Sequence, residues 1–298
     1  MKRIAPLLII LAACLWGTMG LFVRHLNDMG LASMEIVEAR SILAALILFP
    51  CTAIKDRSLL KIHPKNLWSL IGSGIFSIVF FNYCYFSTIE RMNLSAAAIL
   101  LYTSPIFVML MSLIFFRERL TPKKLLALGL AFFGCCLVSG IGSATESLST
   151  AGLLLGLGSG FGYALYSIFS RFSLNQGLGS MTITNYTFLF AAIGGAFLTD
   201  FSAIAAAFSN YGLQLFGFLV LYCIVTTVLP YLLYTTGLTY VENGPASVLA
   251  SVEPVVATLL GLVFYSESPT IPAFLGMVLV LAALVLLSLP KRIPTTET

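Results

Sequence analysis

Long apolar runs, each about as long as a bilayer core is thick, constrain this chain more than any other feature of its sequence. The run from Ile271 to Leu289 carries a single polar side chain, Ser288, and similar runs recur along the whole chain. A helix needs about 20 apolar residues to cross the hydrocarbon core. Only 9% of the 298 residues are charged, too few to build a water-facing surface. The sequence therefore predicts a membrane protein, and it excludes a soluble enzyme and a disordered chain.

Turn residues and charges divide the apolar runs into ten candidate spans. Each must be helical, because lipid offers no partner to the backbone, and the runs lack the alternation of barrel strands. The start also resembles a signal peptide, but its apolar run continues to Val23, so we interpret it as a span. The predicted spans are 4–23, 33–54, 67–89, 94–115, 122–141, 151–171, 181–199, 212–237, 245–265 and 271–289.

The distribution of Lys and Arg predicts the orientation of these spans. With a cytoplasmic N-terminus, the inner segments hold thirteen of the sixteen basic residues, and the outer loops hold Arg24 and Arg91. The remaining one, Arg40, lies within the second span. We therefore expect both termini to be cytoplasmic. The net charge of +4 then faces an anionic membrane surface, and no nucleic-acid partner is needed to explain it.

The two halves of the chain share residues at a nearly constant offset. The matched residues are Pro105 with Pro254, Glu118 with Glu267, Thr121 with Thr270, Tyr83 with Tyr231, Trp16 with Tyr163 and Arg24 with Arg171. Each half holds five spans, an odd number, so the second copy is inverted relative to the first. We predict one repeat over 4–141 (helices 1–5), a second over 151–289 (helices 6–10) and a cytoplasmic tail over 290–298. Inverted repeats are typical of secondary transporters.

An ordered set of short motifs resembles the EamA-type branch of the drug/metabolite transporter superfamily. The motifs are Leu15-Trp16-Gly17, Arg40, Tyr102-Thr103-Ser104-Pro105, the run from Phe115 to Thr121, Ser251-Val252-Glu253-Pro254, and Phe264-Tyr265-Ser266-Glu267. No single motif is specific, but the set extends from about Ala5 to Leu289. The resemblance implies two inverted five-helix units around a central cavity. It also implies transport of small metabolites, often amino acids or their derivatives and frequently outward, although distant relatives carry sugar phosphates and nucleotide sugars.

Polar side chains concentrate in helices 3, 4, 6, 8 and 9, which we expect to line a solute path. Helices 5 and 10 are almost bare, and we expect them at the periphery with lipid on all sides. Thr227, Tyr231 and Tyr234 recur at the spacing of one helix face, and the repeat mates Trp16 and Tyr163, like Tyr83 and Tyr231, are expected to face each other. A midplane cavity of this kind would bind an amphipathic solute, and each tyrosine can instead anchor or pack a helix. The predicted substrate-binding residues are Trp16, Asn82, Tyr83, Tyr102, Tyr163, Tyr166, Thr227, Tyr231 and Tyr234.

Proline interrupts three of the predicted helices, at Pro105, Pro230 and Pro254. A proline in a helix interior removes a hydrogen bond and kinks the chain. Because Pro105 and Pro254 are repeat mates, they suit a pair of gating helices. A static bend is the alternative interpretation.

Two charges lie deep in the predicted spans, Arg40 in helix 2 and Glu253 in helix 9. An intramembrane charge costs at least ~2.5–3.5 kcal/mol, so each requires compensation. Glu253 is a proton-coupling site, a counter-charge for a substrate amine, or a packing carboxyl before Pro254. Arg40 binds a substrate carboxylate or a structural partner, for which Glu35, Glu38 and a backbone carbonyl are the candidates. Glu118 and Glu267 are expected to make helix-end contacts.

These features favour a secondary transporter that exports an amino acid or a related amphipathic metabolite by alternating access. An uptake permease of the same fold, a channel and a lipid scramblase are the alternatives. We expect no enzyme, because the aspartates and histidines lie in predicted loops, and we expect neither a cofactor nor a metal. The expected location is the inner membrane of a prokaryote, with the bilayer and a small solute as partners and a proton as a candidate coupling ion. The oligomeric state stays open.

Overall fold

The computed structural model describes residues 2–92, 94–140 and 149–288, and these ranges are almost entirely helical. They form α1 (Ala5–Asp28), α2 (Ser33–Lys55), α3 (Pro64–Arg91), α4 (Leu94–Phe116), α5 (Pro122–Val138), α6 (Thr150–Asn175), α7 (Ser180–Leu198), α8 (Phe201–Leu238), α9 (Asn243–Tyr265) and α10 (Ile271–Ser288). Within the described ranges there is no strand.

Eight of these helical segments are long and apolar enough to cross a membrane. The other two, α5 and α10, are shorter, with 17 and 18 residues. The prediction of an all-α membrane fold is therefore confirmed, whereas the count of ten spans and the cytoplasmic location of both termini stay predictions. The predicted span ends at 141 and 289 and the tail at 290–298 lie outside the described residues.

The helix α8 begins eleven residues earlier than the predicted span 212–237. Its backbone bends at Gly212, whose φ of 50° and ψ of −123° are not helical. Residues with positive φ favour glycine, which has no Cβ to clash. The preceding segment packs Ile204 and Ala207 against Leu26 and Leu31 at the turn between α1 and α2. The sequence analysis therefore correctly placed a change of direction at Gly212 but missed the short helix before it, whose apolar face covers that turn.

Breaks in α4 and α9 occur at matching positions of the two halves. Helical geometry is lost at residues 102–103 and 251–252, and it resumes at Ser104 and Glu253. Pro105 and Pro254 are each the second residue of the resumed helix, where the missing N–H of proline leaves no hydrogen bond unmade. The two helices are thus interrupted beside Pro105 and Pro254, as the sequence indicates.

The interruption predicted at Pro230 takes a different form, and that expectation requires correction. The chain around Pro230 stays helical, and the π-helical turn Ile224–Val228 immediately before it absorbs the irregularity. A longer π-helical stretch, Gly72–Val79, occupies the corresponding part of α3. Wide turns of this kind carry an extra residue, which is a common cause of a helix bend.

The ends of α4 and α9 also repeat the same local geometry. Arg117 and Ser266 both adopt left-handed backbone angles, with φ of 54° and 56°. The amide of Glu118 donates to the carbonyl of Ser112 (3.1 Å), and that of Glu267 donates to the carbonyl of Gly261 (3.3 Å). All three pairs are 149 residues apart, so the offset found in the sequence recurs in the backbone.

The packing of the helices follows a pseudo-two-fold relationship. α1 packs against α8 and α9, while α6 packs against α3 and α4. Exchanging every helix with the one five places away converts the first set of contacts into the second. The pairs α2 with α7 and α5 with α10 map onto themselves. This arrangement places α1, α3, α6 and α8 around the centre of the bundle.

α5 and α10 pack tightly against each other at the edge of the bundle. A Cβ atom added at Gly276 would lie 2.5 Å from the carbonyl oxygen of Gly134, so two glycines set this close approach. Large side chains such as Phe133 and Phe274 are exposed on the outer faces. The peripheral location agrees with the sequence analysis, but the expectation of lipid on all sides is wrong, because each helix uses one face to cover the other.

A glycine face on α6 allows α4 to approach closely. A Cβ atom added at Gly160 would lie 2.5 Å from Oγ1 of Thr103 and 2.8 Å from the carbonyl oxygen of Leu100. These contacts are too short for real atoms, and small residues at spacing four are a common means of packing membrane helices. The position of α6 beside the break in α4 therefore depends on Gly160.

We expect Gly160→Ala to destabilise the protein by about 1–3 kcal/mol, the usual cost of overpacking a tight interface. Gly129→Ala is the matched control, since a Cβ atom there would meet nothing within 4 Å. Thermal unfolding in detergent measures both variants. The packing argument fails if the Gly160 variant melts at the temperature of the wild-type protein, or if both variants lose the same stability.

Candidate functional site

Five aromatic side chains converge at the centre of the bundle and form what we call the aromatic cage, namely Trp16, Tyr163, Tyr166, Tyr231 and Tyr234. The ring of Trp16 lies 5.1 Å from Tyr231 and 5.4 Å from Tyr234, centroid to centroid. Its repeat mate Tyr163 lies 6.3 Å away, edge to face. Tyr166 and Tyr231 are 4.8 Å apart at an interplanar angle of 84°. Such edge-to-face contacts are the preferred geometry of aromatic pairs.

Hydroxyl partners fix the orientation of two cage tyrosines. The Tyr166 hydroxyl is 2.6 Å from Oγ1 of Thr235, and the Tyr234 hydroxyl is 2.7 Å from Oγ of Ser167. Each bond links α6 to α8, and all four side chains are buried. A buried hydroxyl without a partner is costly, so these bonds hold the two rings in place. The cage is therefore a preorganised surface rather than a set of mobile side chains.

The cage encloses a cavity of about 20 Å³, also bounded by Ser77 and Ile78 of α3. A cavity needs roughly 10–15 Å³ to hold one water molecule, so the space suits a water and not a metabolite. Binding of a larger solute therefore requires the helices that carry the cage to separate. The structure represents a state in which the centre of the bundle is closed.

Two polar groups near the cage have no hydrogen-bond partner among the described residues. They are Nε1 of Trp16 and Oγ1 of Thr227, both buried. Most buried polar atoms in proteins are paired, so an unpaired donor next to a cavity is a candidate contact for a ligand. Trp16 lines the cavity, so it offers a solute both a ring face and an N–H donor.

Glu253 lies at the break in α9 and contacts the cage. The Tyr163 hydroxyl donates to its Oε2 atom over 3.1 Å. Glu253 is also the first residue of the resumed helix, where the exposed N–H groups favour a negative charge. On the other side, a Cβ atom added at Gly17 would lie 2.8 Å from the Glu253 carbonyl oxygen, so α1 packs directly on the break. The carboxyl group is thus held at the junction of α1, α6 and α9.

Arg40 is 1% exposed and has none of the structural partners that the sequence suggests for it. Its Nη2 atom donates to Oδ1 of Asn82 over 3.4 Å, and its Nη1 atom is 3.7 Å from the sulfur of Met19. Glu35 instead accepts a hydrogen bond from the amide of Ala32. Asn82 therefore lies beside Arg40 and outside the cage.

The predicted residue Tyr83 lies on the outer surface of the bundle, with 46% of its area exposed. The expected contact between Tyr83 and Tyr231 is therefore wrong, because the π-helical stretch before it rotates the following part of α3. Tyr102 is partly buried and packs against the main core. Phe81 and Phe188 complete the cage, with centroid distances of 5.3 Å to Tyr163 and 4.9 Å to Tyr231 respectively.

A second acid in the bundle escaped the sequence analysis as a site in its own right. Glu38 is 1% exposed, and neither of its carboxyl oxygens has a partner among the described residues. It faces Gly195 of α7, where an added Cβ atom would lie 2.2 Å from its Oε2 atom. Its spacing from Glu35 gave no indication of this, because the two residues fall on adjacent turns near the start of α2. The expected pairing of Glu38 with Arg40 is wrong.

Repeat mates also close the two ends of the bundle. At the end predicted to be outer, Arg24 donates both Nη atoms to Oε1 of Glu267 over 3.0 Å, and its guanidinium lies 4.3 Å from the ring centroid of Tyr265. We call this set the outer contact. It joins α1 to the end of α9, and both charged side chains are 53% exposed.

At the opposite end, Glu118 accepts hydrogen bonds from the amides of Asn243 (2.8 Å) and Gly244 (3.2 Å). Arg171 donates to Oδ1 of Asn243 over 2.8 Å and to the carbonyl of Val241. We call this set the inner contact. It joins α4 and α6 to the start of α9, so the expected helix-end roles of both glutamates are seen in the structure.

The fold and the buried cage describe a polytopic helical membrane protein with a solute-sized aromatic centre, and comparisons with known proteins define its class. The chain matches the EamA-like transporter family twice, over residues 3–140 and 150–289. It is 28% identical to an uncharacterized inner membrane transporter of Salmonella typhimurium, YicL, over 95% of each chain. It is 27% identical to the Bacillus subtilis transporter YxxF, over 96% of this chain and 89% of that one.

A solved crystal structure shares the fold with a TM-score of 0.75 at 17% identity, over 95% of both chains. An uncharacterized transporter of Archaeoglobus fulgidus is 26% identical over 93% of this chain and 94% of its own. The protein is a membrane transporter, and it belongs to the EamA-like transporter family.

We expect Glu118→Ala to destabilise the protein more than the repeat-matched substitution Glu267→Ala. Glu118 caps two backbone amides at the start of a helix, and losing such a cap typically costs about 0.5–2 kcal/mol. Glu267 forms a half-exposed ion pair, for which the usual value is about 0–1 kcal/mol. Thermal unfolding of both variants in the same detergent gives the comparison, and a larger loss at Glu267 would contradict it.

Proposed function

We propose that the protein is a secondary transporter that exports a small amphipathic metabolite, an amino acid or a related compound, across a prokaryotic inner membrane. The observation that carries this proposal is the aromatic cage, built from α1, α6 and α8 at the centre of the bundle and closed around a water-sized cavity. Aromatic faces with a few fixed hydroxyl groups suit a solute that has an apolar body and a polar end.

Alternating access follows from the placement of the outer and inner contacts. Both involve α9, whose two halves are separated by the break before Glu253. If one half moves while the other stays packed, one contact opens without disturbing the other. A break in the corresponding position of α4 gives the first half of the chain the same freedom. This is the rocking of one repeat against the other that inverted-repeat transporters use.

The proposal is tested by flux through purified protein in proteoliposomes. Counterflow of radiolabelled amino acids and biogenic amines should be saturable and confined to a few compounds. Flux that rises linearly with concentration would support a channel, and transfer of labelled phospholipid would support a scramblase. Vesicles with a known orientation of the protein separate export from uptake, and a preference for inward flux would favour an uptake permease.

We expect Trp16→Ala to lower the apparent affinity for the transported solute about ten-fold or more, because the variant loses both a ring face and the unpaired N–H donor of the cage. Trp68→Ala is the matched control, since the other tryptophan of the chain is half-exposed on the outer surface near the start of α3. Concentration dependence of counterflow measures both variants. Equal losses would mean that the cage has no special role in binding.

Glu253→Gln separates two roles proposed for this carboxyl group. If it carries a coupling proton, the variant should lose uphill transport driven by a pH gradient, while counterflow and solute binding continue. If it is the counter-charge of a substrate amine, solute affinity should fall as well. Glu90→Gln, at an exposed acid at the end of α3, is the control. A variant with normal gradient-driven transport would exclude both roles.

A further inference from the structure

We propose that Arg40 forms a subsite for a single carboxylate group of the transported compound, next to the aromatic cage. The inference rests on the proposed transport function and adds a chemical class to it. It depends on four features of the structure, which are the unmet hydrogen-bonding capacity of the guanidinium, its isolation from acids, the cavity that it borders and the connection of that cavity to the cage.

The guanidinium of Arg40 has far more donor capacity than its neighbours use. An arginine carries five N–H donors in a planar fork. One donates to Asn82 at the long distance of 3.4 Å, and another approaches the weakly accepting sulfur of Met19 at 3.7 Å. Its Nε atom is buried and has no partner among the described residues. A buried arginine normally has these positions filled by carbonyl or carboxylate oxygens.

The positive charge of Arg40 is also unbalanced. Across the described part of the chain, three ion pairs form, and they involve Arg24, Arg91 and Lys124. Glu38, only two residues before Arg40, directs its carboxyl group towards Gly195 on α7 instead. A charge buried in the membrane without a counter-ion is strongly unfavourable, and an anion placed against it offsets part of that cost.

Arg40 borders a second cavity of about 20 Å³, between α1, α2, α3 and α8. Arg40 is the one charged side chain that lines it, and the remaining lining includes Ile36, Phe86 and Tyr222. One positive charge in apolar surroundings matches one negative charge, since a dianion would leave a second charge without compensation. The planar fork fits a carboxylate through two parallel hydrogen bonds.

The subsite and the cage are connected through α3 and α1. Asn82, which contacts Arg40, donates through its Nδ2 atom to the carbonyl of Ile78 over 2.7 Å, and Ile78 lines the cage cavity. On α1, Met19 contacts Arg40 and lies three residues after Trp16, across the break at Thr18. A compound with its carboxylate at Arg40 therefore extends its apolar body towards the cage.

The test uses the thermal stability of the purified full-length protein with two matched probes, 3-phenylpropanoate and its uncharged amide. We expect the carboxylate to stabilise the wild-type protein at concentrations about ten-fold lower than the amide, because only it makes charge-assisted hydrogen bonds to the guanidinium. Arg40→Gln should remove this difference. Arg91→Gln, which removes an exposed arginine, is the control and should keep it.

A second variant covers the case in which Arg40→Gln does not fold. Asn82→Asp places a built-in carboxylate beside the guanidinium, so the variant should melt at or above the wild-type temperature and no longer prefer the carboxylate probe. A carboxylate preference that survives in either variant, or that is missing from the wild-type protein, would overturn the assignment. So would stronger stabilisation by phenyl phosphate, which would indicate a phosphate site.

The outcomes also distinguish this inference from the proposed function. Saturable counterflow of amines or uncharged solutes, with no preference for the carboxylate probe, would leave the transporter in place and overturn the subsite. Preference for the carboxylate probe in protein that shows no saturable flux would support the anion site and contradict the transport cycle.

Discussion

The satisfaction of backbone hydrogen bonds inside a bilayer is the constraint on which the rest of this structure depends. Because lipid offers no partner to an N–H or C=O group, the chain must be helical wherever it meets lipid, and a helix can break only where protein surrounds the break. The breaks in α4 and α9, and the π-helical turns in α3 and α8, therefore mark the parts of the bundle that face other helices. The aromatic cage and Glu253 lie at these irregular places.

Sequence reasoning reached the fold because the signals that it used are long. Apolar runs of about 20 residues are hard to mistake, and the shared offset of 149 residues connects positions such as Pro105 and Pro254. The same reasoning erred where one residue changes the geometry. Tyr83 has the expected partner in sequence, but the π-helical stretch before it turns the side chain to the outer surface. The short helix before Gly212 is likewise too short to stand out as a span.

The aromatic cage was predictable in composition but not in detail. The spacing of Tyr231 and Tyr234 on one helix face identified half of it, and the repeat mates Trp16 and Tyr163 do meet. No pattern in the sequence indicated Phe188, or the hydroxyl bonds that orient Tyr166 and Tyr234, because these depend on how separate helices dock. The partners of Arg40 were also missed, since a nearby acid in the sequence, Glu38, points to a different helix in space.

The two ends of the bundle are closed by different kinds of interaction, and this difference gives the surrounding solution unequal influence over them. The outer contact is an ion pair between half-exposed side chains, and mobile ions at physiological concentration screen such a pair within roughly 8 Å. The inner contact is a carboxylate bound to backbone amides, with short and directional hydrogen bonds that dissolved ions weaken far less. Ionic strength on the outer side therefore acts as a one-sided control of the conformational equilibrium, loosening that end while the other stays closed.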